Sequence, residues 1–318
     1  MKILIIKLSS FGDIIQCFPV ASGLVKKFLS AKIDWVTYDN YRELFDYQPS
    51  ISRVFTIPHY SSCGMVESMV QIFKLIRTLK KECYDMVLDL QGLFRSGIIC
   101  GFSGAKRKIG PWNGREGSLF FYKERIMPPP PPAQERYLEF LRYLGIQPDP
   151  YDFQLPLLPP ILDRKDYIVI HPYSRWSSKI WPWRNYQALT LRLPQFHFVF
   201  VGIGPWFPIN EANCTDLRGK LPLGKLIALL GNAKAMISGD SGPAHLAAAL
   251  GCPTLVMFGP TDAAESRPIG KKVFVLQSDV SCSPCWHAIC LNKESPLQCL
   301  SGITVEVVIK KLMILLEN

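Results

Sequence analysis

Two hydrophobic patterns take turns along this chain. Ile3-Leu4-Ile5-Ile6 is a short unbroken apolar run between Lys2 and Lys7, the pattern of a strand covered on both faces. A helix is expected over 13–29 and a second strand over 32–37. Met65, Met69, Ile72, Phe73, Ile76 and Leu79 then recur every three or four positions, which predicts a helix over 65–81 with one apolar stripe. Another strand follows at 86–90. This is the βαβ rhythm of an open parallel sheet. The five prolines at 128–132 stiffen a connector, and a helix is expected over 134–144. A second proline-rich stretch, 148–160, marks a domain boundary. The rhythm then restarts, with strands expected at 167–170, 196–201, 235–237 and 254–258. Helices are expected between them at 183–193, 223–230 and 242–250, with a closing helix at 304–316. The organisation expected is an α/β domain over 1–152, a second over 161–303, and a C-terminal helix over 304–318.

Composition agrees with two packed cores, since 48% of the 318 residues are hydrophobic. No apolar run is long enough to cross a membrane as a helix. The N-terminal apolar run is too short for a secretory signal, so a cytoplasmic protein is expected. Net charge is +10, which favours anionic partners: a nucleic acid, a membrane face or an acidic substrate. The excess is concentrated. Arg95, Lys106, Arg107, Lys108, Arg115, Lys123 and Arg125 are opposed within their stretch only by Glu116 and Glu124. No helix-turn-helix, zinc-finger or RNA-recognition signature accompanies them, so no nucleic-acid partner is expected.

Three segments carry candidate chemistry. Ser238-Gly239-Asp240-Ser241-Gly242-Pro243-Ala244-His245 joins an expected strand to an expected helix. A glycine-rich turn feeding a helix N-terminus offers unpaired N–H groups and the positive end of a dipole, which suits a phosphate. His245 lies one turn in and reaches toward the same anion. Asp240 has the wrong charge for a phosphate, and is expected to take a sugar hydroxyl or to order the turn. The run also fits a capped helix after a buried strand. Lys7-Leu8-Ser9-Ser10-Phe11-Gly12-Asp13 follows the first strand and matches neither a dinucleotide fingerprint nor a Walker loop. It offers one carboxylate, Asp13, though an acid in a first helical turn is favoured by the dipole in any case. Cys282, Cys285, Cys290 and Cys299 form C-x2-C-x4-C-x8-C, a spacing open to a bound metal, to disulfides or to packed thiols.

Taken in order, several segments resemble bacterial glycosyltransferase family 9, the lipopolysaccharide heptosyltransferases. They are Lys7-x-Ser9-Ser10-x-Gly12-Asp13, Asp89-Leu90-Gln91-Gly92-Leu93, Lys179-Ile180-Trp181-Pro182, the run from Ser238 to His245, and Phe258-Gly259-Pro260-Thr261-Asp262. Trp112 with Arg115, the segment Leu119-Phe120-Phe121-Tyr122 and Glu135-Arg136 resemble the heptosyltransferase I subgroup. The cysteine-rich tail is closer to heptosyltransferase II, and the stretch from Gly202 to Ala235 is shorter than in subgroup I, leaving Glu211 as a reduced adenosine contact.

The resemblance implies a GT-B fold: two Rossmann-like domains facing across a cleft, the last helix packing back toward the first. It implies an ADP-heptose donor, a lipid A–Kdo type acceptor at the inner membrane face and inversion at the anomeric carbon. The enzyme is expected as a monomer, peripherally associated with that membrane. Asp13 and Lys179 are the expected catalytic residues. Ser9, Ser10, Gly12, Lys179, Asp240, Ser241, Gly242 and His245 are expected on the donor, and Lys7, Arg95, Arg115 and Arg136 on the acceptor. No cofactor and no catalytic metal are expected, because Lys179 and a helix N-terminus can neutralise a leaving diphosphate. Two rivals share the fold: another family 9 transferase adding a later heptose or a different sugar, and a silent nucleotide-sugar-binding protein. A GT-B epimerase would need further acid/base groups beside Asp13.

Overall fold

The computed structural model describes residues 1–164 and 166–317. They divide into two compact units, Met1–Pro156 and Leu157–Asn318, at a point inside the second proline-rich stretch. Each unit is built on its own six-stranded parallel sheet.

The first sheet has the order β3-β2-β1-β4-β5-β6, from strands β1 (Lys2–Ile6), β2 (Lys32–Tyr38), β3 (Arg53–Ile57), β4 (Met86–Asp89), β5 (Arg107–Pro111) and β6 (Glu124–Ile126). β1 lies at the centre, in register with β2 on one side and β4 on the other. That position explains its unbroken apolar run, for Ile3, Leu4, Ile5 and Ile6 are all fully buried. The longer helices of this unit are α1 (Phe11–Gln16), α2 (Phe18–Lys27), α3 (Met65–Lys81), α4 (Phe94–Phe102) and α5 (Ala133–Tyr143). The single helix expected over 13–29 is in fact two, α1 and α2, parted at Cys17. Pro19 is the cause. It has no N–H to donate to the preceding turn, and it sits in the first turn of α2, where that loss costs nothing.

The second sheet repeats the order as β12-β11-β10-β7-β8-β9. Its strands are β7 (Tyr167–His171), β8 (His197–Phe200), β9 (Cys214–Asp216), β10 (Ala235–Gly239), β11 (Thr254–Phe258) and β12 (Val273–Gln277). The longer helices are α6 (Trp183–Arg192), α7 (Leu223–Gly231), α8 (Gly242–Ala249) and α9 (Val305–Glu317). The core gathers Trp181, Tyr186, Phe198, Phe200, Leu255 and Met257. The closing helix contributes Val308, Leu312 and Leu315 to this same core, so its buried face belongs to the second unit.

In both sheets the chain leaves the central strand first to one side and later to the other. The switch points fall between β1 and β4 and between β7 and β10. Loops beyond the carboxyl ends of such a pair diverge and leave a crevice, the usual ligand position in open α/β sheets. Each of the segments singled out from Lys7 to Asp13, from Asp89 to Leu93, at Lys179 and from Ser238 to Gly242 follows one of these strands.

Candidate active site

In the first unit, Asp13 stands in the opening turn of α1, and each of its oxygens is held. Oδ2 accepts from the Ser10 backbone N–H at 3.1 Å and from Ser10 Oγ at 2.7 Å. Oδ1 accepts from the Tyr137 hydroxyl at 3.1 Å. Tyr137 lies on α5 and accepts in turn from Lys7 Nζ at 3.0 Å. Burial, and then the nearby Asp13 charge, push the Tyr137 phenol well above its usual range, so it stays a neutral donor. Lys7 is 4% exposed, its ammonium resting 4.8 Å from the Tyr137 ring centroid.

The loop carrying these groups is braced from β4. Gln91 Oε1 accepts the backbone N–H groups of Leu8 and Ser9, both at 3.1 Å. Gln91 is fixed by Asp89, whose Oδ1 accepts the N–H of Gln91 at 2.9 Å and of Gly92 at 3.1 Å. The other oxygen of Asp89 accepts from Tyr122 at 2.7 Å. Gly92 has φ of +70°, and a Cβ there would meet the Pro111 ring at 2.8 Å. The Asp-x-Gln-Gly segment is thus a bracket for the loop after β1.

A cavity of about 420 Å³ opens beside these groups, lined among others by Lys7, Asp13, Gln91, Arg115, Arg136 and Tyr137. Three cations therefore face one carboxylate. Of the four residues expected on an acceptor, Lys7, Arg115 and Arg136 meet here, and Arg95 does not line the cavity. Arg95 lies on α4 and reaches the Tyr38 hydroxyl at 3.4 Å, because the first turn of α4 points it toward β2. Ser9, Ser10 and Gly12 belong to the first unit with Asp13, where Ser9 and Ser10 hold the loop and its carboxylate.

In the second unit, Lys179 ends a short 3-10 turn, Ser177–Lys179. Its ammonium lies 2.5 Å from Asp240 Oδ2 and 4.5 Å from the Trp176 ring centroid. Asp240 also accepts from Thr261 Oγ1 at 2.8 Å, and its carbonyl from Ser174 Oγ at 3.1 Å. Asp240 thus ties Lys179 and Thr261 to the turn that precedes α8. The closeness explains Gly239, since a Cβ there would come within 2.6 Å of the Lys179 carbonyl oxygen. Ser241 precedes α8, linked to Ser238 by a hydroxyl contact of 2.8 Å. His245 lies half-buried one turn into α8. Tyr137, Trp176 and the role of Thr261 were missed by sequence reasoning, and only Thr261 lay inside a segment already singled out.

Cys282, Cys285, Cys290 and Cys299 carry no disulfide. Cys290 Sγ accepts from the Leu297 N–H at 3.3 Å, and burial raises the Cys299 thiol, with the neighbouring thiols adding to the rise. Among the described residues no group of three or more His, Cys, Asp or Glu side chains is gathered to hold a metal ion.

Two parallel sheets of this order, each with a polar cluster beyond its switch point, give the chain a GT-B fold. The chain belongs to Glycosyltransferase family 9 (heptosyltransferase), whose profile matches residues 72–295. Lipopolysaccharide heptosyltransferase 1 of Pseudomonas aeruginosa is 26% identical, over 91% of this chain and 87% of that protein. Lipopolysaccharide heptosyltransferase 3 of Escherichia coli is 27% identical, over 81% and 83%. Among solved structures, E. coli heptosyltransferase WaaC with ADP aligns with a TM-score of 0.79 at 22% identity, over 99% of this chain and 100% of that one. The protein is a glycosyltransferase.

Proposed function

We propose that this enzyme transfers heptose from ADP-heptose to the Kdo-bearing inner core of lipopolysaccharide, with inversion, at an anionic membrane face. The observation that carries the reading is the pairing of functions with switch points: a held carboxylate in a cationic cavity in one unit, and a held lysine beside a helix N-terminus in the other. A hydroxyl of the acceptor attacks the anomeric carbon while the bond from that carbon to the diphosphate oxygen breaks. The transition state is oxocarbenium-like. Asp13 takes the hydroxyl proton. Lys179 and the N–H groups at the start of α8 receive the charge that builds on departing ADP, and His245 assists. Lys7, Arg115 and Arg136 suit the carboxylates or phosphates of an acidic acceptor. Relatives named as heptosyltransferase 1 and 3 match to similar extents, so the position of the added heptose is assigned by experiment. The test is mass spectrometry of products from purified enzyme, ADP-heptose and a panel of truncated core acceptors. Addition of one heptose to a Kdo-terminated acceptor supports the reading. Addition only to acceptors already carrying heptose assigns a later step, and no heptosyl product from any acceptor overturns it.

A further inference from the structure

The cavity beside Asp13 has an unusual outer lip. Pro111 and Asn113 line the cavity, and Trp112 between them is 52% exposed. Ile126 and Pro128 also line it, and Met127 between them is 66% exposed. The two stretches are joined by the Trp112 N–H donating to the Ile126 carbonyl at 2.7 Å. The same backbone therefore turns one set of residues into the cavity and large apolar side chains outward.

Phe120 extends this lip. Its neighbour Phe121 is clamped on α4, where Gly97 and Gly101 leave room for the ring, since a Cβ at either would approach it to 2.8 Å. With Phe121 anchored inward, Phe120 faces outward and is 89% exposed. Cations complete the surface. Arg125 donates to the Leu119 carbonyl at 3.0 Å and lies 5.7 Å from the Trp112 ring centroid. Lys123 and Arg125 are exposed and form no ion pair with a carboxylate among the described residues. Glu124 between them is occupied by Arg107 at 2.5 Å.

We propose that Trp112, Phe120 and Met127, with Lys123 and Arg125, form a membrane-docking lip that seats the acceptor cavity on an anionic lipid bilayer. Aromatic and thioether side chains suit the acyl boundary, where a Trp ring has both apolar and polar surroundings. Lysine and arginine beside them suit acidic headgroups. Trp112 and Met127 flank residues that line the cavity, and Phe120 joins them through the Leu119–Arg125–Trp112 contacts, so apolar and cationic side chains are grouped on one lip. The link to catalysis rests on the acceptor reading above: a lipid-borne acceptor enters the cavity directly from the surface the lip touches.

The test is sedimentation of the full-length enzyme with phosphatidylglycerol vesicles and with phosphatidylcholine vesicles, in the absence of nucleotide sugar and acceptor. The wild type is expected to bind the anionic vesicles preferentially. W112S/F120S/M127S and K123E/R125E are each expected to bind them roughly tenfold more weakly or worse. Both variants should retain turnover on a deacylated, water-soluble acceptor. Failure of the wild type to bind anionic vesicles, equal binding to neutral ones, or unchanged binding by the triple variant would overturn the proposal. Vesicle binding as expected, with no heptosyl transfer by any form, would retire the transfer reading and leave the lip standing.

Discussion

A carboxylate serves as a base when its oxygens are aimed at the proton it is to take. Asp13 accepts from the Ser10 and Tyr137 hydroxyls and from the Ser10 backbone N–H, and Lys7 in turn donates to Tyr137. Asp13→Asn should lower kcat on the order of 10²-fold or more with little effect on donor affinity. Tyr137→Phe should lower it only about threefold to tenfold, the worth of one hydrogen bond. Steady-state kinetics on both variants checks the order, and equal losses would show that Tyr137 does more than aim its partner. Asp240 is the counterpart in the second unit. Asp240→Asn removes the ion pair that fixes Lys179, so ADP should bind about tenfold more weakly or worse by calorimetry, in step with a fall in kcat. His171 supplies a pH effect of its own. It is buried at the end of β7 with Nδ1 unpartnered, and burial lowers its pKa from 6.5 to about 4. Between those values the unfolded chain takes up a proton that the folded one refuses. Stability from this group is therefore full above pH 6.5 and is lost as pH falls toward 4. The loss between pH 7 and 5 is about 2 kcal/mol. Urea denaturation of wild type and His171→Asn at both pH values should show the smaller decline in the variant.

At the scale of elements, what was legible depended on where the information lay. β1, α3 and β11 were readable because their pattern is local: both faces of the strands are covered, and one stripe of the helix is. The edge strands β3, β6 and β9 were not, because Arg53, Glu124 and Asp216 give them the polar look of loops and a neighbour on one side completes them. β5 is masked by Gly110 and Pro111. The segments Lys7 to Asp13 and Ser238 to His245 were visible as turns opening helices, but what holds their acids was not. Tyr137 lies 124 positions from Asp13, and Lys179 lies 61 from Asp240, and no local pattern announces either contact. Gly239 gives this scale its prediction. It ends β10 against the Lys179 carbonyl, so Gly239→Ala must push strand and turn apart. The variant should lose about 1–3 kcal/mol of stability, the usual cost of overpacking. It should also lose ADP affinity, although the substituted residue bears no functional group. Thermal unfolding with and without ADP checks both.

At the scale of the molecule, each sheet is drawn from one continuous stretch of chain, and the division falls at Pro156 and Leu157. No strand of either sheet is borrowed from the other unit, and the closing helix is buried in the core of the unit it follows. The proposed division of labour follows the same line, with the acceptor read mainly by residues before it and the donor mainly by residues after it. A hybrid carrying 157–318 from a family member that uses a different nucleotide sugar should fold, as judged by cooperative melting, and should take the incoming donor while keeping its acceptor. Heredity is the wider consequence. On the proposed division of labour, a single crossover between two such genes, placed where neither sheet is cut, would pass on one half of the specificity. New sugar linkages would then arise by one recombination event rather than by a long series of point changes.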